Sequence, residues 1–260
     1  MLNTRSSLAV GRAAAEFPHG TLPKGQRIYA IGDIHGRLDL LDDIHNQIAA
    51  DLAENPVQHS VEVFLGDYVD RGPQSRQVVE RLASPDRLAD QRVCLLGNHE
   101  QMLLEAYSDP AAVEGWLVNG GVHTLLSYGA EALAAPRTAR SVQMAFRSAF
   151  PPAHRQFMAG LARVASFGGY IFVHAGLRPG RRLEQQAADD LVWIREPFLS
   201  STADFGAVVI HGHTPVSVPE IRPNRINIDT GAVFTGRLTC IVLEGQERRF
   251  LRTSGDGREG

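Results

Sequence analysis

The sequence predicts an α/β fold built from two mixed β-sheets with flanking helices. In residues 27–108, short apolar runs alternate with longer segments of helical spacing, which is typical of β-α-β units with a right-handed, parallel sheet. Residues 109–165 have apolar positions at roughly helical intervals and indicate a helical insertion. Beyond the insertion the apolar runs are short and closely spaced, which indicates a tail of antiparallel strands.

The first half of the chain contains three strand-helix pairs. Residues 27–31 form the first predicted strand, and residues 38–52 follow with the apolar spacing of a helix. Residues 61–65 form the second strand, and Pro73 suits the first turn of the helix after it. Residues 92–96 form the third strand, before a third helix that opens on the sequence GNHE.

The remaining elements are shorter. Residues 163–167 and 170–173, separated by two glycines, predict a β-hairpin. A further strand is predicted at 207–210, and short apolar runs near residues 218, 226, 240–243 and 249–251 complete the tail. Residues 1–25 are rich in small residues and are interrupted by prolines, so we expect a disordered N-terminal extension before a single domain at 26–260.

Composition excludes several classes of function. The chain has 260 residues, of which 43% are hydrophobic, and this is ample for one core. Its formal net charge of -3 gives no general attraction to nucleic acid or to an anionic membrane surface. No apolar run approaches the ~18 residues of a membrane span. Cys94 and Cys240 lie in apolar runs, so we expect reduced, buried thiols and a cytoplasmic protein.

Five of the apolar runs end in side chains of metal-ligand type. Because ligands in open α/β sheets bind beyond the carboxyl ends of the strands, we expect these side chains to meet there. Carboxylate, amide and imidazole groups favour manganese, iron or zinc over calcium. The candidate ligands are Asp33, His35, Asp67, Asn98, His174 and His213.

The spacing of these residues predicts two metal ions. Asp33 and His35 are two positions apart and can hold one ion, Asp67 can bridge, and the three later residues can hold the other. Two ions about 3.5 to 4 Å apart can clamp both the attacking and the leaving oxygen in a displacement at phosphorus. The sequence therefore predicts hydrolysis of a phosphate ester.

The ordered motifs GDIHG, GDYVDRG, GNHE, VHAGL and GHTP resemble those of the calcineurin-like metallophosphoesterases. Within that family the sequence is similar to the phosphoprotein phosphatase group, which includes bacterial Ser/Thr protein phosphatases and the lambda-type enzymes. Residues 227–244 look much like the closing strands of the lambda-type enzymes, and the resemblance covers most of the chain. It implies the metallophosphoesterase-type β-sandwich and the ligand set given above.

The resemblance also implies the groups that act on the substrate. It assigns Arg71 and Arg195 as phosphate clamps and pairs His99 with Asp70 as the general acid. The residues around Arg195 alternate in a pattern that a half-buried strand would also give, so a structural role for this arginine stays open. Asn119 lies in a turn of the insertion, where lining the substrate cleft and simple turn chemistry are both open.

Covalent mechanisms do not fit the spacing. Cys94 is not followed by an arginine after five intervening residues, as it would be in a cysteine-based phosphatase. Asp67 and Asp70 are not the DxD pair of enzymes that form an aspartyl phosphate. Metal-activated water remains the nucleophile, and we expect two divalent ions, Mn²⁺ first and iron or zinc as alternatives.

Two enzymatic functions fit the resemblance. The first is a phosphomonoesterase of the Ser/Thr protein phosphatase type, acting on phosphorylated protein or peptide. The alternative is a symmetrical bis(5'-nucleosyl)-tetraphosphatase or a broader nucleotide phosphohydrolase, whose second motif usually lacks the aspartate that Asp70 provides here. Because Asp70 favours a leaving group that needs a proton, the first function ranks higher. An inactive scaffold would be expected to lose ligands, and all six are present.

Overall fold

The structure, a computed structural model, describes residues 17–130 and 138–255. Within these ranges, ten strands form two five-stranded mixed sheets with helices on their outer faces. The predicted fold class is therefore confirmed. The bounds of the first helix and of the first three strands differ from those predicted by no more than two residues. That residues 26–260 form one domain stays a prediction.

The first sheet has the strand order β10-β9-β1-β2-β3. Strands β1, β2 and β3 run parallel, as predicted for the first half of the chain. Strand β9 pairs antiparallel with β1, and β10 pairs antiparallel with β9. Its strands are β1 (Gln26–Ile31), β2 (His59–Phe64), β3 (Gln91–Cys94), β9 (Thr239–Glu244) and β10 (Glu247–Arg252).

The second sheet has the order β4-β5-β6-β8-β7. The predicted hairpin is confirmed, because β4 and β5 pair antiparallel. The expectation of an antiparallel tail is wrong for β6, which runs parallel to β5, and for β8, which runs parallel to β6. The chain between these two strands returns to the same end of the sheet before β8 begins, and apolar spacing carries no information on strand direction. The strands are β4 (Val164–Phe167), β5 (Tyr170–Val173), β6 (Val208–His211), β7 (Glu220–Ile221) and β8 (Arg225–Asn227).

Alternating side chains of β1 serve two different cores. Ile28 and Ala30 lie between the two sheets, whereas Tyr29 and Ile31 face the helices on the outer side of the first sheet. This period of two is the geometry of a strand that is buried on both faces. The sandwich thus has one hydrophobic core between its two sheets and further cores where helices pack on the outer faces of the sheets.

Helices cover the outer face of each sheet. A short helix, α8 (Ala188–Trp193), packs on the second sheet, and α9 (Ala232–Thr235) lies before β9. The predicted insertion is helical in its described part, while residues 131–137 lie outside the described residues. The helices on the first sheet are α1 (Leu38–Glu54), α2 (Ser75–Ala83) and α3 (Asn98–Ser108), with α4 (Val113–Trp116), α5 (Val122–Ser127), α6 (Ala139–Ala149) and α7 (Pro152–Ala159) from the insertion.

The expected disordered extension is wrong for residues 17–25, and residues 1–16 lie outside the described part of the chain. The backbone N–H of Leu22 donates to the carbonyl of Gly245 at 2.8 Å, and the Tyr170 hydroxyl donates to the carbonyl of Gly20 at 2.8 Å. Leu22 is buried in the core between the sheets. These long-range contacts hold residues 17–25 in place, although their sequence has neither the apolar spacing of a helix nor that of a strand.

Among the helices of the described ranges, none combines the length and the apolar character needed to cross a membrane.

Candidate functional site

The six candidate metal ligands lie together at the carboxyl ends of strands from both sheets. Each follows the end of β1, β2, β3, β5 or β6, and each side chain is buried, with at most 8% of its surface exposed. The arrangement agrees with the rule that open sheets gather their functional groups at this edge. The structure therefore brings together all six: Asp33, His35, Asp67, Asn98, His174 and His213.

Asp67 lies at the centre of the site. Its Oδ2 is 3.5 Å from Nε2 of His35, and its Oδ1 is 3.4 Å from Nε2 of His174. Possible ligand atoms lie within 4.8 Å of one another in two groups, His35–Asp67–His99 and Asp67–His174–His213. Asp67 belongs to both groups, so one carboxylate can serve two cations, one through each oxygen.

The carboxylate of Asp33 shows that a cation fits here. Its Oδ2 accepts a hydrogen bond from the backbone N–H of His213 at 3.1 Å, but its buried Oδ1 has no partner among the described residues. Burial, together with the neighbouring Asp229 and Asp67 carboxylates, raises the pKa of Asp33 well above its ordinary value. A bound cation would satisfy the orphan oxygen and remove the repulsion between these acids.

The histidines are oriented by backbone carbonyls. Nδ1 of His35 donates to the carbonyl of Val69 at 2.9 Å, and Nδ1 of His174 donates to that of Leu65 at 3.0 Å. Because a carbonyl can only accept, each ring carries its lone pair on Nε2, which faces the site. Burial lowers the pKa of His35 and of His213 to about 3, which keeps the rings neutral, as metal ligation requires.

Asn98 completes the second group. Its Oδ1 lies 2.9 Å from Nε2 of His174 and 2.9 Å from Nδ1 of His213. An amide oxygen and two imidazole nitrogens thus converge beside one oxygen of Asp67. Oxygen and nitrogen donors of this kind suit manganese, iron or zinc.

The backbone is strained throughout the site. Left-handed conformations are costly for residues with a Cβ and cluster at functional sites in proteins. In the described part of the chain, every non-glycine residue with a positive φ belongs to this region, namely His35, Asp67, Asp70, Arg71 and His213.

Glu100 stabilises the strained turn that carries Asp67. Its buried carboxylate accepts hydrogen bonds from the backbone N–H groups of Asp67 at 2.8 Å, of Tyr68 at 2.7 Å and of Gly97 at 3.0 Å. Sequence reasoning missed this role. A glutamate at the third position of a helix can accept from the backbone N–H of the N-cap residue, which is one half of a capping box, and this signal could have found it.

His99 and Asp70 form a buried pair at the edge of the site. Nδ1 of His99 lies 2.7 Å from Oδ2 of Asp70, and neither side chain is more than 1% exposed. Burial acts to lower the pKa of His99, but the Asp67 and Asp70 carboxylates outweigh burial and raise it. His99 therefore holds its proton more strongly than the other histidines of the site.

The helical insertion holds the other oxygen of Asp70. The indole Nε1 of Trp116 donates to Oδ1 at 3.0 Å, and the hydroxyl of Thr124 donates to the same atom at 2.6 Å. Trp116 and Thr124 are separated from Asp70 by 46 and 54 residues along the chain. Sequence reasoning missed both, because no local pattern relates residues so far apart.

Arg71 and Asn119 lie together beside the site. The guanidinium of Arg71 donates to Nε2 of His35 at 2.8 Å, and both Arg71 and Asn119 line one surface cavity. The backbone N–H of Arg71 also donates to the carbonyl of Gly120 at 3.1 Å. Gly120 has a φ of 105°, and a Cβ there would lie 2.9 Å from the Arg71 nitrogen, so only glycine fits this contact.

Arg195 comes two residues after Trp193, whose ring centroid lies 6.2 Å from that of His213. It follows α8 and does not belong to a strand, so the half-buried strand that its neighbours could have formed is not present in the structure. Its side chain is exposed and makes no hydrogen bond or ion pair within the described ranges. After burial and His174, the positive charge of Arg195 also lowers the pKa of His213.

Residues 26–237 match the family of calcineurin-like phosphoesterases, and this match spans most of the chain. The chain belongs to the calcineurin-like phosphoesterase family. It is accordingly a metal-dependent phosphoester hydrolase, and the two groups of His and Asp side chains are able to bind the divalent metal ions that the family implies. Membership of the family does not identify which metal is bound.

This chain is similar to relatives and solved structures that are named for different phosphatase activities. The asymmetrical bis(5'-nucleosyl)-tetraphosphatase PrpE of Bacillus cereus (strain ATCC 10987 / NRS 248) is 28% identical over 233 residues, which are 80% of this chain and 87% of the relative. A crystal structure provisionally named a diadenosine tetraphosphatase has a TM-score of 0.61 at 21% identity and covers 91% of this chain and 96% of its own.

A mutant cold-active protein tyrosine phosphatase has a TM-score of 0.62 at 14% identity, with 97% of this chain and 84% of that chain covered. At these identities the two solved structures show the fold alone, which is the metallophosphoesterase fold of two mixed sheets flanked by helices.

Proposed function

We propose that this chain hydrolyses phosphoric esters at a pair of divalent metal ions, with His99 protonating the leaving group. The observation that carries the proposal is that Asp67 lies between the two groups of candidate ligands. One of its oxygens is near His35, and the other is near His174. Asp33 and His35 would hold one ion, and Asp67 would bridge to the ion held by Asn98, His174 and His213. Such a pair supplies hydroxide at neutral pH and neutralises charge on the phosphoryl oxygens.

The geometry favours an acid role for His99 over a ligand role. Its Nε2 is 4.0 Å from Oδ2 of Asp67. Nε2 of His35 is nearer to the same oxygen, at 3.5 Å, and Nε2 of His174 is 3.4 Å from Oδ1 of Asp67. Its pKa is raised, and a metal ligand must be neutral. With Nδ1 donating to Asp70, the ring holds a proton on Nε2 that it can give to the departing oxygen.

Arg71 and Arg195 supply the phosphate-binding cations. The guanidinium of Arg71 contacts His35, and the positive charge of Arg195 contributes to the low pKa of His213. A guanidinium can donate two parallel hydrogen bonds to non-bridging phosphoryl oxygens, and its attraction grows as negative charge develops on them. Together the two arginines would orient the substrate between the metal ions and His99.

For the substrate we propose a dinucleoside polyphosphate. The support is the set of relatives named bis(5'-nucleosyl)-tetraphosphatase, among them that of Bacillus velezensis, which is 28% identical over 86% of this chain. These relatives carry the asymmetrical name, so the symmetrical activity expected from the sequence gains no support from them. A phosphoprotein is the second candidate, favoured by the intact His99–Asp70 pair, which suits a leaving group that needs a proton.

A direct comparison of substrates tests this ranking. With manganese-loaded protein, we expect kcat/KM for diadenosine tetraphosphate to exceed that for a phosphoserine peptide and for AMP. Hydrolysis of the phosphoanhydride linkage between the first and second phosphates breaks one P–O bond and gives AMP and ATP. Chromatography separates these from the two ADP molecules of symmetrical cleavage. A higher kcat/KM for the phosphopeptide would establish the second candidate instead.

Removal of the metals should abolish the reaction. We expect protein treated with EDTA and freed of chelator to be inactive, because water bound to a cation is far more acidic than bulk water. Mn²⁺ should restore turnover, and Fe²⁺ and Zn²⁺ added in parallel rank the alternatives. Full turnover by protein whose metal content is shown to be zero would contradict the proposal.

We also propose a cytoplasmic location. Cys94 and Cys240 are both free thiols, as expected, although Cys94 is only partly buried. Free thiols are usual in a reducing compartment.

A further inference from the structure

A surface cavity of about 470 Å³ opens beside Arg71, between the insertion and α9. Neither the metal ions nor the acid pair of the proposed mechanism uses it. Its volume falls within the range of about 300 to 1,000 Å³ that is usual for small-molecule sites. We call it the Phe234 cavity, and it is lined by Arg71, Val118, Asn119, His123 and Phe234 with adjoining backbone.

The cavity has an exposed apolar wall. Phe234 is 71% exposed and Val118 is 82% exposed, so two large apolar side chains meet solvent at the same cavity. The guanidinium carbon of Arg71 lies 5.9 Å from the centroid of the Phe234 ring. A flat aromatic surface therefore adjoins the cation that we assign to phosphate binding.

The backbone that carries Phe234 is fixed. The four-residue helix α9 is flanked by Gly231 and Gly236, which both adopt the left-handed conformation. The hydroxyl of Thr235 donates to the carbonyl of Thr230 at 2.8 Å, and Ala232 is buried beneath the turn. The exposure of the Phe234 ring thus results from a defined turn that presents it to solvent.

Polar groups line the same cavity. Nδ2 of Asn119 donates to the carbonyl of Gly115 at 2.8 Å, while no described residue donates to its Oδ1. This oxygen can accept a hydrogen bond from an exocyclic amino group. The exposed imidazole of His123 adds a further donor or acceptor. An aromatic face with a few hydrogen-bonding groups at its edge is the composition of a nucleobase site.

We propose that the Phe234 cavity binds a nucleobase, which stacks on the Phe234 ring while a phosphate of the same nucleotide lies on Arg71. The inference rests on the proposed function in one respect, since it takes the substrate to be a nucleotide. Arg71 and Phe234 are neighbours, so one nucleotide can reach both. A phosphoserine side chain has no planar group and would leave the cavity unused.

Kinetics on two substrates test the proposal. Phe234→Ala is expected to lower kcat/KM for diadenosine tetraphosphate by about 10-fold or more, mainly through KM, because stacking of a base on an aromatic side chain is lost. Its kcat/KM for phosphoserine should stay within about 2-fold of the parent value, since stacking contributes nothing there. Phe234→Tyr keeps the ring and should behave like the parent. Met144→Ala, at a residue that is 61% exposed on α6, is the matched control.

A binding measurement separates this inference from the proposed function. Saturation-transfer NMR with AMP and metal-free protein should show transfer to the adenine protons, and Phe234→Ala should remove it. Unchanged adenine transfer in that variant would overturn the base site, as would an equal kinetic loss on both substrates. If the parent shows adenine transfer but hydrolyses only phosphoserine, the base site stands and the proposed substrate is wrong.

Discussion

His99→Asn is expected to slow the hydrolysis of phosphoserine by about 10² to 10⁴, the usual contribution of a general acid. The alkoxide that leaves serine is a strong base and needs a proton as the P–O bond breaks. The p-nitrophenolate anion is a stable leaving group, so the same variant should lose much less activity on p-nitrophenyl phosphate. Initial rates on the two esters, measured with manganese-saturated protein, give the comparison.

Two further variants complete this experiment. Asp70→Asn should show the same substrate dependence in milder form. The Asp70 carboxylate orients His99 through a hydrogen bond and raises the pKa of His99, and a neutral asparagine weakens both effects. His59→Asn, at an exposed position outside the site, is the control. Metal analysis should find the ions retained in all three proteins. Equal losses on both esters with intact metal content would contradict the acid role and leave His99 as a positioning residue.

Asp67→Asn is expected to deprive the protein of both metal ions. The two oxygens of Asp67 face different groups of ligands, and asparagine offers one neutral oxygen in their place. Changes to groups that only support a ligand cost about 10- to 100-fold in metal affinity, so loss of a shared ligand should cost more. Metal content per chain, measured by plasma mass spectrometry after dialysis, should fall close to zero.

His35→Asn is the matched comparison, since His35 serves only one of the two groups. It should lose one ion and keep the other. Circular dichroism of the metal-free variants would establish that each remains folded. The bridging assignment is wrong if Asp67→Asn and His35→Asn retain the same amount of metal.

The sequence by itself determined the strands and the residues that follow them. Apolar runs of strand length are local, and so is the change from such a run to a charged turn, as at Asp67. Five runs ending in ligand-type side chains were enough to predict the sheet edge at which the structure gathers them. The pairing of His99 with Asp70 needed the family resemblance, because 29 residues separate them along the chain.

Only the tertiary structure decided what surrounds those residues. Periodicity tells which face of a strand is buried but does not tell its direction, so the parallel pairing of β6 with β8 was not predictable. The contacts of Trp116 and Thr124 with Asp70 join the helical insertion to a turn far away in sequence. Packing between distant segments also produces the ordered structure of residues 17–25 and the wall of the Phe234 cavity. Local side-chain patterns do not encode such packing.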